Sequence, residues 1–148
     1  MRDALKAGKD TVIVPTGGVE QNGPYLVTGK HNVVLRGTTE AIARKLGGTL
    51  VAPIIPFVPE GDIDPPTQHM LYPGTMGVSE ATYEALLTDI CASLKAHGFR
   101  RIVLIGDSGG NQAGLKAVAE RLGEKGQGTC RVLYIPESRG KTLVGAGD

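Results

Sequence analysis

Apolar positions along the chain follow two rhythms, one of strands and one of helices. Thr11-Val-Ile-Val-Pro15 is a short β-branched run, of the kind buried in a sheet, and predicts a strand. Leu35, Ile42 and Leu46 recur at near-helical spacing and predict a helix over 33–46, stopped by Gly47-Gly48. Residues 49–55 predict a second strand, punctuated by Pro53 and Pro56. Ser79 is a good N-cap for a helix running to about His97, with Tyr83, Leu86, Leu87, Ile90 and Leu94 on its apolar face and Gly98 closing it. Residues 101–106 form the clearest strand. A helix over 111–122 follows, facing inward through Leu115, Val118, Ala119 and Leu122, and a last strand covers 130–135. The Gly-rich tail beyond Ser138 is expected to be mobile.

Between residues 56 and 77 no period holds. Pro53, Pro56, Pro59, Pro65, Pro66 and Pro73 crowd this stretch, which reads as a long ordered loop. Loops of this length in a compact domain usually carry function. Strands alternating with helices imply an α/β fold, a three-layer α/β/α sandwich around a mostly parallel sheet. Ligands in such sheets bind beyond the carboxyl ends of the strands. The loops at 16–31 and 106–111 both leave such ends and should share one rim.

Composition narrows the function classes. A chain of 148 residues suits a single domain over 1–148 with a real core. Sixteen basic against fifteen acidic residues leave a net charge of +1, which offers no attraction for nucleic acid or an acidic membrane. With two Phe, four Tyr and no Trp, a base-stacking surface is not expected. No apolar run reaches the roughly 20 residues of a membrane span. No signal segment precedes Lys6-Ala7-Gly8-Lys9, so the cytoplasm is the expected compartment, with an exported form whose signal has been removed as the alternative. Cys91 and Cys130 lack metal-like spacing and are expected to be buried free thiols.

Two stretches carry candidate chemistry. The loop after the first strand gathers Glu20, Asn22, Tyr25 and His31, and a carboxylate with an imidazole is a donor pair for Zn²⁺ or Mn²⁺. Its bland alternative is a solvated loop with a capping Glu and a surface His. The second stretch is Gly106-Asp107-Ser108-Gly109-Gly110-Asn111. It fits a nucleophile elbow, a trypsin-like string, or a small-residue turn aiming N–H groups and Asp107 at a ligand. The trypsin-like reading fails because that family is all-β. The elbow has the right strand-to-helix context, but His31, His69 and His97 all precede Ser108, contrary to the hydrolase order. His97, beside Gly98, reads as a partner of the helix C-terminus.

Taken together these stretches resemble the creatininase family. That family shows a strand followed by Pro-x-Gly-x-x-Glu-Gln-His-Gly-Pro-His-Leu and then an Asp. Here Pro15-Thr-Gly-Gly-Val-Glu20-Gln-Asn22-Gly-Pro-Tyr25-Leu26 is followed by His31. A His before Phe-Pro-Gly-Thr is matched by His69-Met-Leu-Tyr-Pro-Gly-Thr75. A helix ending His-Gly-Phe, a strand and Asn-Gly-His-Gly-Gly-Asn are matched by His97-Gly-Phe99, residues 101–105 and Gly106-Asp-Ser-Gly-Gly-Asn111.

The resemblance implies a metal-dependent hydrolase of amide, non-peptide C–N bonds, assembled as a homo-oligomer around a small-molecule substrate. Such proteins commonly hold two metal ions joined by a carboxylate. Here Glu20 is kept, Asn22 and Ser108 stand where His would, His31 replaces the bridging Asp, and Gly110 replaces a further Glu ligand. A neutral imidazole has one free lone pair and cannot bridge as a carboxylate does. At most one divalent ion, Zn or Mn, is therefore expected, on Glu20, His31 and Asp107. Glu20, Asp107, Ser108 and His69 are the expected catalytic residues, and Asn22, Tyr25 and Asn111 the expected substrate contacts. Glu60 and Asp62 also belong to the long loop. The chain is expected to lack the family's C-terminal portion. Two rival readings are a catalytically inactive member with a binding or assembly role, and a serine hydrolase using Ser108.

Overall fold

The computed structural model describes residues 1–125 and 130–137. Four strands, β1 (Thr11–Thr16), β2 (Thr49–Val51), β3 (Arg101–Gly106) and β4 (Arg131–Ile135), form one parallel sheet in the order β2-β1-β3-β4. Four α-helices accompany them: α1 (Arg2–Lys6), α2 (Lys30–Leu46), α3 (Glu80–Ala96) and α4 (Gln112–Lys125). The chain steps outward from β1 to β2, then crosses back to β3 and β4. Right-handed crossovers therefore put α2 on one face and α3 with α4 on the other. Accordingly α2 packs on β1 and β2, while α4 packs on β3, β4 and α3.

The core lies on the α3/α4 face. Val12, Val14, Ile102 and Leu104 point there and meet Tyr83, Leu87 and Cys91 of α3 and Leu115, Val118 and Ala119 of α4. On the other face the described residues give cover beside β1 and β2, where Ile13 and Leu35 are buried. Leu133 and Ile135 on the edge strand β4 remain exposed. Cys91 and Cys130 are free and buried in the core, as expected. At the amino ends of the strands, Arg101 reaches Asp10 Oδ1 at 2.7 Å and Thr11 Oγ1 at 2.7 Å, which ties β3 to the start of β1. No helix among the described residues is long and apolar enough to cross a membrane.

Several boundaries differ from the sequence reading, each for a local reason. Helix α2 starts at Lys30, so His31 sits in its first turn rather than in a loop. Its N-cap is Gly29, in the left-handed region at φ 81, with no side-chain cap to mark the start. Strand β2 stops at Val51 rather than Ile55, although Ala52 and Ile55 still donate to the carbonyls of Ile13 and Pro15. Asn111 belongs to a 3₁₀ turn over Gly109–Asn111 that precedes α4. The short α1 was not expected; it buries no residue, so no apolar period announces it. The Gly-rich tail lies outside the described residues.

Candidate active site

The first loop, between β1 and α2, is clamped on three sides, and the clamps place Glu20. Asn111, fully buried, donates from Nδ2 to the carbonyls of Thr16 and Gly17 at 3.0 and 3.1 Å. Asn32 in the first turn of α2 accepts from Gly18 N at 3.3 Å and donates to Gly18 O at 3.0 Å. The Tyr72-Pro-Gly-Thr75 segment supplies the third clamp. There Thr75 Oγ1 accepts from Gln21 N at 3.1 Å, and Met76 N donates to Val19 O at 2.9 Å. Close approach needs Gly18, because a Cβ there would stand 2.5 Å from Glu60 Oε1.

Around Glu20 the polar groups converge. His31 Nε2 lies 2.7 Å from Glu20 Oε1, and His31 Nδ1 lies 2.8 Å from Asp107 Oδ2. His69 Nε2 stands 3.4 Å from Glu20 Oε2, and Lys30 Nζ 4.0 Å from Oε1. Residues expected from two loops ninety positions apart therefore do meet on one rim. They line an open pocket of about 680 Å³ that also includes Glu60, Gln68, Glu80, Ser108, Gly109 and Gly110. Gln68 adopts φ 50, left-handed for a residue with a side chain, where the long loop turns over the pocket.

Glu60 is the residue that sequence reasoning left without a role. It is only 2 % exposed, and its Oε1 has no hydrogen-bond partner among the described residues. Burial, reinforced by a hydrogen bond with Glu20 and by that carboxylate's charge, raises its carboxyl to about 8. Glu60 is therefore mostly neutral near pH 7 and can donate to Glu20. For Glu20 burial opposes ionisation, but hydrogen bonds from His31 and Glu60 and the nearby histidines outweigh it and hold the carboxyl below its usual range. Two adjacent carboxyls driven apart in this way form an acid and base pair. Nothing local in the sequence announces this, because the pair meets only through the fold.

The remaining expected residues take different places. Tyr25 is 95 % exposed and does not line the pocket. Asn22 donates to the backbone carbonyl of Glu20 at 3.1 Å, so its amide serves the loop. Asn111 is a buried clamp. None of the three lines this pocket. Ser108 does line the pocket, with extended backbone at φ −120 and ψ 141 rather than the strained turn of a nucleophile elbow. Both nitrogens of His31 are engaged by carboxylates, so that ring is not a base for Ser108.

The donors do not fit a metal ion as they stand. A ligating imidazole gives one nitrogen to the ion and the other to an acceptor. His31 gives both to carboxylates. Among the described residues no three His, Cys, Asp or Glu are grouped so as to hold an ion. The expected set of Glu20, His31 and Asp107 is thus brought together as a hydrogen-bonded chain, not as a coordination shell.

Known proteins share this architecture. A 3-dehydro-scyllo-inosose hydrolase of Thermotoga maritima is 29 % identical over 109 residues, covering 74 % of this chain and 33 % of that protein. A mycofactocin precursor peptide peptidase of Mycolicibacterium smegmatis is 27 % identical over 121 residues, covering 78 % of this chain and 46 % of the relative. The crystal structure of a creatininase superposes with a TM-score of 0.72 at 23 % identity, over 90 % of this chain and 52 % of its own. Other solved creatininases of similar likeness are a manganese and a zinc–zinc form. The chain thus spans about half or less of the length of these relatives. A family model described as creatinine amidohydrolase matches residues 1–144, and the chain belongs to the creatininase family.

Proposed function

We propose that this pocket hydrolyses a non-peptide amide C–N bond in a small polar molecule. One observation carries the reading: Glu20 and Glu60, adjacent and oppositely protonated, sit at the back of an open pocket with His69 at its edge. The Glu20 carboxylate takes a proton from water as its oxygen attacks the carbonyl carbon. The C–N bond then breaks, and the leaving nitrogen receives a proton from His69, which enters the cycle as the imidazolium. Asp107 and His31 hold Glu20 in place, and Glu60 keeps a proton beside it. The products are a carboxylic acid and an amine, and proton return from Glu20 to His69 restores the site. The 3.4 Å contact between those two residues provides the path.

Two hydrolases among the curated relatives, one of them a peptidase, support hydrolysis in general. Assembly into a homo-oligomer would cover apolar side chains such as Leu133 and Ile135. The test is amine release from a panel of lactams and linear amides. Glu20→Gln should lower turnover by about 10²–10⁴-fold, the usual worth of a general base. Equal rates for wild type and variant would remove the mechanism. A binding member without turnover is the second reading, favoured by Ser108 and Gly110 at positions where the family resemblance expects ligands. It predicts ligand-dependent stabilisation with a silent panel.

A further inference from the structure

We infer that this pocket is built to work without a bound divalent cation, with His31 occupying the place where an ion would join the carboxylates. The inference concerns the pocket of the proposed hydrolysis and rests on that assignment of the site.

Three observations carry it. The first is distance. Two ligands of one tetrahedral ion, each about 2.1 Å from it, stand about 3.4 Å apart; His69 Nε2 and Glu20 Oε2 have that spacing, but as two donors without a third grouped with them among the described residues. His31 Nε2 and Glu20 Oε1 are 2.7 Å apart, a direct charge-assisted hydrogen bond with no space for an ion between them. On the other side Nδ1 is closed in the same way by Asp107 at 2.8 Å.

The second is Gly110. A Cβ there would collide with the carbonyl oxygen of Pro59. No ligating side chain fits at that position without moving the backbone of the long loop. The site has not merely lost a donor at 110; the loop has closed over it. Ser108 offers only a hydroxyl.

The third is charge. Glu20 is 5 % exposed, and a buried carboxylate demands a counter-charge. In a metal centre the ion provides it. Here the groups nearest Glu20 are the His31 ring, within hydrogen-bond distance of a carboxylate at each nitrogen, and, further out, His69 and Lys30.

The test is metal binding read without turnover. The purified full chain is dialysed, its metal content measured by mass spectrometry, and its thermal unfolding followed with MnCl₂, ZnCl₂ or EDTA. We expect no stoichiometric metal and the same Tm in all three. One retained equivalent, or a dose-dependent rise in Tm that Glu20→Gln abolishes, would overturn the inference. In a second arm, His31→Asp combined with Ser108→His restores a carboxylate and an imidazole beside Glu20. This variant should show a Tm that climbs with MnCl₂, as binding to the native state requires. A folded double variant that responds no more than wild type overturns the role given to His31. If that variant does not fold, the wild-type titration decides alone. A metal-free protein that is silent on every amide sinks the proposed hydrolysis and leaves this inference standing.

Discussion

His31 Nε2 and Glu20 Oε1 are joined across 2.7 Å on the buried side of the pocket, and the same ring reaches Asp107 on the open side. The pair links the first turn of α2 to the loop after β1, and Asp107 extends the link to the end of β3. Removing the ring leaves Glu20 buried without its nearest partner. His31→Ala should therefore cost about 3 kcal/mol, the usual penalty for breaking one side of a buried pair. Urea denaturation at pH 7 measures it. A loss no larger than that of an exposed ion pair, below about 1 kcal/mol, would contradict the arrangement.

Glu60 makes a prediction in pH. Its carboxyl is raised to about 8 in the folded chain, from an ordinary value of 4.5. The folded state therefore holds a proton that the unfolded state has released between those values. The resulting stability is fully present below about pH 4.5 and is lost as pH rises through 8. Glu60→Gln keeps a donor towards Glu20 and removes the titration. Wild type and variant should have similar stability near pH 5, and the variant should gain by roughly 4 kcal/mol by pH 9. Parallel profiles across that window would show that Glu60 does not hold a proton in the fold.

Asn111 belongs to the scaffold. It donates to two carbonyls and its Oδ1 accepts from Gln112 Nε2 at 2.8 Å. Asn111→Ala strands those buried groups and should cost about 2 kcal/mol. If instead the variant keeps its stability and loses only ligand affinity, the role as a clamp is wrong.

Ser79 caps α3 by accepting from Thr82 N at 3.2 Å. Ser79→Ala should destabilise the chain by about 1 kcal/mol, read as a lower urea midpoint with an unchanged slope.

The two cysteines should be inert in the native state. Burial pushes the Cys91 thiol up to about 12 and raises Cys130 as well. A thiol reagent at pH 8 should label neither until denaturant is added. Rapid labelling of the native protein would place them nearer solvent than the core allows.

Much of the fold was legible because its signals are local. The β-branched run at 11–15, the Ser79 cap and the apolar face read as Tyr83, Leu86, Leu87, Ile90 and Leu94 each specify an element locally, although Leu86 is exposed and Cys91 is buried with Tyr83 and Leu87. Helix α2 lost its first turn in the reading because Gly29 caps it through backbone geometry rather than a side chain. Strand β2 was drawn too long because a bonded but bent segment, 52–55, is as apolar as a strand. For the site, Glu20, His31, His69 and Asp107 were legible as donor types, and the fold brings them together. Their mutual pairing was not, because whether an imidazole faces an ion or two carboxylates depends on ångström-scale placement. Glu60 gave no sign for the same reason: its neighbour Glu20 is forty residues away in the chain.

Asn111 binds the end of β1 to the start of α4, and Asn32 binds the first loop to α2. The two rims that hold Glu20, His31 and Asp107 are thereby fastened into one unit. Accommodation of molecules of different size falls instead to the stretch around Gly61–Leu71, which borders the pocket through Gln68 and His69. Selection acting on ligand choice can vary that stretch, His69 apart, while leaving the fastened unit, and with it the stability of the domain, almost untouched.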